Sequence, residues 1–277
     1  MVTRPGCRIF LCLFAAFVAL TPQVTSVAAA GQPVAHPLAK VDHALFDAIL
    51  RDRVSDGLVD YAALKRDRRL AAYLTKLARV DLAPLSREER LAYWINTYNA
   101  ATLKFMADAW PVESIMKLNG GKPWDVPVFR PLGAAEAITL NHIEHEIIRK
   151  QFAEPRIHFA LVCAAMSCPP LRGDSYTGAA LDAQLGEQTV NFLRDKTANR
   201  YESASRSYVL SPLFQWYVAD FGGDEQGVLR FIASQIDLRE LCPSGRAFKD
   251  PAASPDKPKA DARIRYSDYD WSPNAQK

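Results

Sequence analysis

Neither sign of charge dominates this chain: 34 lysines and arginines against 31 aspartates and glutamates leave a formal net charge of +3 over 277 residues. A strongly basic face is not indicated, so no nucleic-acid partner is expected. Long apolar runs are missing as well; Ile9 to Leu20 makes about 12 residues where a bilayer span needs about 20. No internal repeat is visible, which excludes a solenoid. With 49% hydrophobic and 23% charged residues, collagen-like, coiled-coil and wholly disordered chains are excluded too. Cysteine is scarce, at five, and so is histidine, also five. Cys163 and Cys168 have no second cysteine pair or suitably spaced histidine pair to complete a zinc pattern. Gly120-Gly121-Lys122 is too short for a phosphate loop. No metal or other cofactor is expected.

The first 30 residues carry Arg4 and Arg8, then the apolar run, then Val27-Ala28-Ala29-Ala30. This is the three-part pattern of a cleavable secretory signal, with cleavage expected after Ala30. No later stretch is long enough to span a bilayer, so the expected location is periplasmic or secreted, with no membrane span after signal removal. Cys7 and Cys12 leave with the leader. Cys163, Cys168 and Cys242 then remain in an oxidising compartment, either all reduced or with one pair bridged and one thiol left over.

Residues 31–40 read as a flexible lead-in, and residues 41–274 as a single globular domain. Leu45, Phe46, Ile49 and Leu50 form the apolar stripe of a helix from about Asp42 to Val54, and a second helix is expected near 67–79. Ser86, with Glu89 three positions on, predicts a capping box opening a helix that runs to Ala109 and is stopped by Pro111. Glycines and prolines in 112–137 predict short strands or an irregular excursion. Helix is expected again over Thr139 to Phe152, over Gly178 to Thr197, from Ser211-Pro212 through Ala219, and over 224–236. The short apolar run Ile157 to Cys163 predicts a buried central strand, Ser207 to Leu210 another, and Ile264 to Trp271 an edge strand. The proline-rich stretch 243–262 reads as a surface excursion. The sum is an α+β, helix-rich single domain around a small β-sheet.

Cys168 is the leading candidate nucleophile. Pro169 and Pro170 stiffen the backbone after it, and His158 lies ten residues upstream, within reach if the chain returns nearly extended. A thiol attacks as thiolate, which requires a base or cation beside it. The alternatives are a buried structural thiol, a bridge to Cys163 or Cys242, and a core histidine at His158; Cys163 itself looks like core. Asn96 and Asn99 share one helical face, so either amide could orient an imidazole or simply bind backbone. His142, His145 and Glu146 lack the spacing of the helical zinc motif. Asp220 to Asp224 and Asp268 to Trp271 are explained most cheaply by turns and caps.

These motifs together resemble the bacterial and plant family of the domain of unknown function 547. The resemblance is carried by Val59-Asp60-Tyr61, Ala92 to Asn99, Trp110 to Ile115, Leu140 to Arg149, Arg156 to Cys163 and Ser167 to Leu171. It continues through Phe214 to Tyr217, Asp220-Phe221 and Tyr269 to Asn274, so that it spans about residues 55–274. It names a class without supplying a mechanism. It draws attention to the positions of Asn96, Asn99, Glu144, Arg149, Arg156, His158 and Cys168, a set richer in polar groups than packing requires. Ser272-Pro273-Asn274 departs from the family's usual ending, which concerns packing.

The expected activity is peptide, amide or acyl hydrolysis or transfer at a Cys-His site, papain-like or transglutaminase-like by analogy only. Cys168 attacks, His158 takes and returns the proton, Asn96 or Glu144 orients the ring, and backbone amides near Cys168 receive the oxyanion. Arg149, Arg156 and Asn99 are the substrate-binding candidates, the arginines either holding a carboxylate or pairing with Glu144 and Glu146. The rival expectation is a non-catalytic envelope binding or scaffold module with a buried polar network. A thiol redox role is the third. The partner, a small molecule, a peptide or an envelope protein, is left open.

Overall fold

Leu91 to Leu103 is buried without a break, so one helix is enclosed on every side by the rest of the chain. That helix, α4 (Arg87–Ala109), is the axis of the fold. The computed structural model describes residues 39–242 and 263–276. The leader, most of the lead-in and the 243–262 excursion lie outside the described residues. Leu38–Lys277 forms one compact unit. The architecture is α+β, helices with three small sheets.

The start of α4 is capped as the spacing predicts, Ser86 Oγ accepting from the Glu89 amide at 3.1 Å. The other half of the capping box is not made. Instead the buried Glu89 carboxylate accepts from the Val41 amide at 2.7 Å and the Gly178 amide at 2.8 Å, tying two distant segments to the helix. Gly178 permits this approach, since a Cβ there would sit 2.3 Å from Glu89 Oε2.

Against α4 pack the one-turn α2 (Tyr61–Leu64) and α3 (Arg69–Leu77), and α1 (Ala44–Arg53) packs on α3, with Phe46, Leu70 and Tyr73 in the shared core. Residues 142–152 are helical as expected, but His142–Ile148 is wound as a π-helix before α5 (Arg149–Phe152). Such widened turns often mark functional positions. A second core, Phe159, Phe192, Phe214, Phe221 and Ile232, is built between α6 (Leu181–Arg194), α7 (Leu213–Trp216) and α8 (Glu225–Gln235). The helix after Ser211-Pro212 is shorter than expected, ending at Trp216.

The sheets are peripheral to that plan. β1 (Val54–Ser55) pairs with β2 (Leu58–Val59), and β3 (Pro127–Phe129) with β4 (Ile138–Thr139), both antiparallel. The third sheet has the order β5 (Arg200–Glu202), β6 (Ser207–Leu210), β7 (Arg263–Tyr266), the edge strand β7 running parallel to β6. The expected central strand over Ile157 to Cys163 does not form. Pro155–Phe159 is a 3-10 helix, with Pro155 in its first turn and Glu154 accepting from the Arg156 amide at 3.1 Å, and an irregular turn follows. A short apolar run has no periodicity to separate a strand from a buried helical turn, and the helix-centred core settles the choice.

Past β7 the tail runs beside the turn that carries the cysteines. The Met166 amide donates to Ser272 O at 2.8 Å, the Ser167 amide to Asp270 O at 3.2 Å, and Asn274 donates to Ala164 O at 3.3 Å. Asn274 is also held by Tyr61, whose hydroxyl donates to its Oδ1 at 2.7 Å. The ending Ser272-Pro273-Asn274 therefore locks the tail in place.

Candidate active site

Asn99 prepares the backbone leading into Cys163. From the middle of α4 its amide donates to Ala160 O at 2.9 Å and accepts from the Val162 amide at 3.0 Å. The next residue, Ala164, has φ +60°, a left-handed conformation that an alanine holds only under restraint from its surroundings. Cys163 is thereby placed at the wall of a cavity of about 360 Å³ that Cys168, His158 and Glu144 also line.

The two thiols are not equivalent. Cys168 is buried, and its Sγ accepts from the Cys163 amide at 2.9 Å. Burial, and then the neighbouring Cys163 thiol, push its pKa well up. Cys163 is only partly buried, and its Sγ lies 2.9 Å from the Tyr269 hydroxyl. Burial alone would raise its pKa, but hydrogen bonds from Cys168, from Tyr269 and from the Ala165 amide outweigh it and lower the thiol below its ordinary value. Of the two thiols, Cys163 is the one held lower. Cys163, Cys168 and Cys242 are all free thiols.

His158 is held at the end of its 3-10 helix between ring partners, stacked on Tyr217 at 3.8 Å and 22° and tilted against Phe221 at 5.5 Å. Its Nε2 lies 2.6 Å from Asp220 Oδ2. Arg149 grips the same carboxylate with two bonds, Nε to Oδ2 at 2.6 Å and Nη2 to Oδ1 at 2.8 Å. Burial would raise the Asp220 carboxyl, but the bonds from His158 and Arg149 prevail and hold it well below the usual carboxylate range. An ionised Asp220 can only accept, so Nε2 carries a proton, and in the neutral ring Nδ1 is the nitrogen without one. Nδ1 lies 4.0 Å from Glu144 Oε1. Burial, followed by the nearby Glu144 carboxylate, pushes the Tyr98 and Tyr217 hydroxyls far above the ordinary phenol range.

Several expected roles are redistributed by this geometry. Asn96 does not orient His158: its amide donates to Tyr176 O at 2.7 Å and accepts from the Tyr176 amide at 2.9 Å, which exhausts it on backbone. The ring is oriented by Asp220. Asn99 positions the Cys163 backbone. Arg156 binds Glu154 at 2.7 Å and Asp182 at 2.9 Å, and Arg149 is spent on Asp220, so neither guanidinium pairs with Glu144 or Glu146. Among the described residues, the hydrogen bonds of the Cys168 thiol are to Cys163, Leu161 and Tyr269, with no basic partner. The amides just before it are committed to Ser272 and Asp270, and its own donates to Ala165 O at 3.1 Å, which leaves none of the three for an oxyanion. Among the described residues no group of three or more His, Cys, Asp and Glu side chains could hold a metal ion; His145 contacts Arg149 at 3.0 Å, and Glu146 pairs with Lys150.

A family described as "Protein of unknown function, DUF547" matches residues 82–193. The match covers 112 of the 277 residues and agrees with the resemblance that the motifs carry there. No curated protein and no solved structure matches the chain. The DUF547 stretch supplies Asn99, Glu144, Arg149, His158 and both cavity cysteines, while Asp220, Tyr217 and Tyr269 come from beyond it. Sequence reasoning missed Asp220, which sits in a glycine-rich turn, and set Cys163 aside as core. The signal for Asp220 was the Asp220-Phe221 pair within the wider resemblance.

Proposed function

We propose that the cavity is the active site of a cysteine-dependent amide or acyl hydrolase or transferase, with Cys163 rather than Cys168 as nucleophile. The observation that carries it is the His158–Asp220 contact of 2.6 Å, which fixes the imidazole by Nε2, with Nδ1 as its other nitrogen, in the cavity where the lower-pKa thiol stands. Cys163 Sγ attacks the carbonyl carbon and forms a thioester. His158 Nδ1 takes the thiol proton and gives it to the departing amine or alcohol, then draws a proton from the water or amine that cleaves the thioester. Asp220 holds the tautomer and stabilises the imidazolium. Tyr269 and Cys168 stabilise the charge on the sulfur as its proton passes to His158.

Iodoacetamide labelling of the native protein against pH, with the modified cysteine located by mass spectrometry, tests this. Cys163 is expected to react first, with an inflection well below the ~8.5 of a free thiol, and Cys168 to stay protected. A Cys163 that labels no faster than Cys168 would end the catalytic reading, and the cavity would then be the binding pocket of an envelope module. Among the described residues no helix is long and apolar enough to cross a membrane. Export through the leader is part of the proposal; a mature chain beginning at Gly31 in the extracytoplasmic fraction supports it, and an intact amino terminus there opposes it.

A further inference from the structure

Glu144 is 5% exposed and lines the cavity beside His158. A carboxylate removed from water to this degree is stable only with a partner for its charge. Among the described residues its one ion-pair contact is His158 Nδ1 at 4.0 Å, and a His158 that serves as base is neutral. Arg149, whose charge reaches Glu144 only from a distance, makes its hydrogen bonds to Asp220 and His145. The Tyr98 and Tyr217 hydroxyls also stand against Glu144, but both are neutral groups, so among the described residues no lysine or arginine forms an ion pair with it.

Aromatic rings form the wall of the same cavity. Trp216 stacks on Trp271 at 5.8 Å and leans on Tyr269 at 4.9 Å, Trp124 meets Trp271 edge-on at 5.9 Å, and Tyr217 covers the His158 ring. Trp216 is 47% exposed, unusual for so large an apolar side chain. Ring faces are electron-rich, so an organic cation gains there by an interaction that a neutral alkyl group of the same shape lacks. An anion would meet repulsion from both the rings and Glu144.

We propose that this cavity binds an ammonium group, its charge set between Glu144 and the aromatic wall. Resting on the Cys163 reading above, the substrate class becomes an acyl or amide compound that carries an amino group within a few bonds of the carbonyl attacked. Aminoacyl amides and esters with a free or methylated amine fit; their N-acylated or N-carboxylated forms do not.

The test uses choline and its neutral carbon isostere 3,3-dimethylbutan-1-ol, titrated calorimetrically into the full chain carrying Cys163→Ala. Choline is expected to bind about tenfold or more tightly than the alcohol. Glu144→Gln brings the two affinities together, and Trp216→Ala, a change at an exposed position that leaves the core intact, weakens choline more than the alcohol. Equal affinities, tighter binding of the alcohol, or no binding of either overturns the proposal. Binding here needs no nucleophile. Choline binding alongside an unreactive Cys163 in the native protein would therefore sink the hydrolase alone, and a reactive Cys163 with no cation preference would sink the ammonium site alone.

Discussion

His158 and Asp220 stand 62 residues apart in sequence and 2.6 Å apart in space. One lies at the end of a 3-10 helix, the other in the turn after α7, and the second aromatic core draws them together through Phe159, Phe214 and Phe221. The core that stabilises this half of the molecule thus also fixes the ring of a histidine that lines the cavity with both thiols.

Removing that carboxylate tests its role. Asp220→Asn leaves Arg149 without its anion and allows the ring to donate from Nδ1. The expected outcome is a folded protein, by circular dichroism, whose Cys163 alkylates about tenfold more slowly near neutral pH, less than the ~10²–10⁴ a positioned base contributes because His158 itself stays. Unchanged alkylation would mean that His158 does not serve the thiol.

The same carboxylate makes stability depend on acid in a definite direction. Because its folded pKa lies below the unfolded value of about 3.9, the unfolded chain binds the proton more readily. Its contribution is complete above about pH 4 and is lost as the pH falls through the lower folded value. Urea midpoints measured downward from pH 6 should therefore fall more steeply for the native protein than for Asp220→Asn; parallel curves contradict this.

Tyr269→Phe takes one donor from the Cys163 sulfur while leaving the ring in place against Trp271. The alkylation curve of Cys163 should move to higher pH, with the urea midpoint little changed. A shift to lower pH, or none, would mean that the hydroxyl accepts from the thiol rather than donating to the thiolate.

Glu89→Gln and Asn99→Ala probe stability away from the chemistry. The first replaces a carboxylate that accepts from two amides, the second removes both bonds at Ala160 and Val162. Each should cost about 2 to 3 kcal/mol in urea unfolding, since the buried backbone groups lose their partners. Asn99→Ala should in addition broaden or slow Cys163 labelling, because the turn before the thiol loses its clamp, whereas Glu89→Gln should leave labelling unchanged.

Much of the helical plan was legible locally. Ser86 before Glu89, Pro111 after Ala109 and the stripe of Phe46, Ile49 and Leu50 each act within a turn or two of their own position, and the helices follow them. The run from Ile157 to Cys163 was not legible, because a short apolar segment takes its conformation from whatever packs against it, and here that is helix rather than sheet. The second role of Glu89 was invisible for a similar reason: its two amide partners arrive from residues 41 and 178.

Within the site, residue chemistry nominated His158 and Cys168, since few residue types can carry acyl transfer, and the family resemblance drew in Glu144; Cys163 was set aside as core. Which cysteine holds the lower pKa depends on where Tyr269 and the Ala165 amide point, and Tyr269 arrives from a tail more than 100 residues downstream. Asn96 and Asn99 share a helix face and look alike in sequence, yet one binds Tyr176 and the other the turn before Cys163. The chain alone decides composition, caps and periodicity, which are short-range properties. The partners of a buried polar group are decided by the tertiary fold, because desolvation forces each such group to satisfy itself with whatever distant segment the packing brings within about 3 Å.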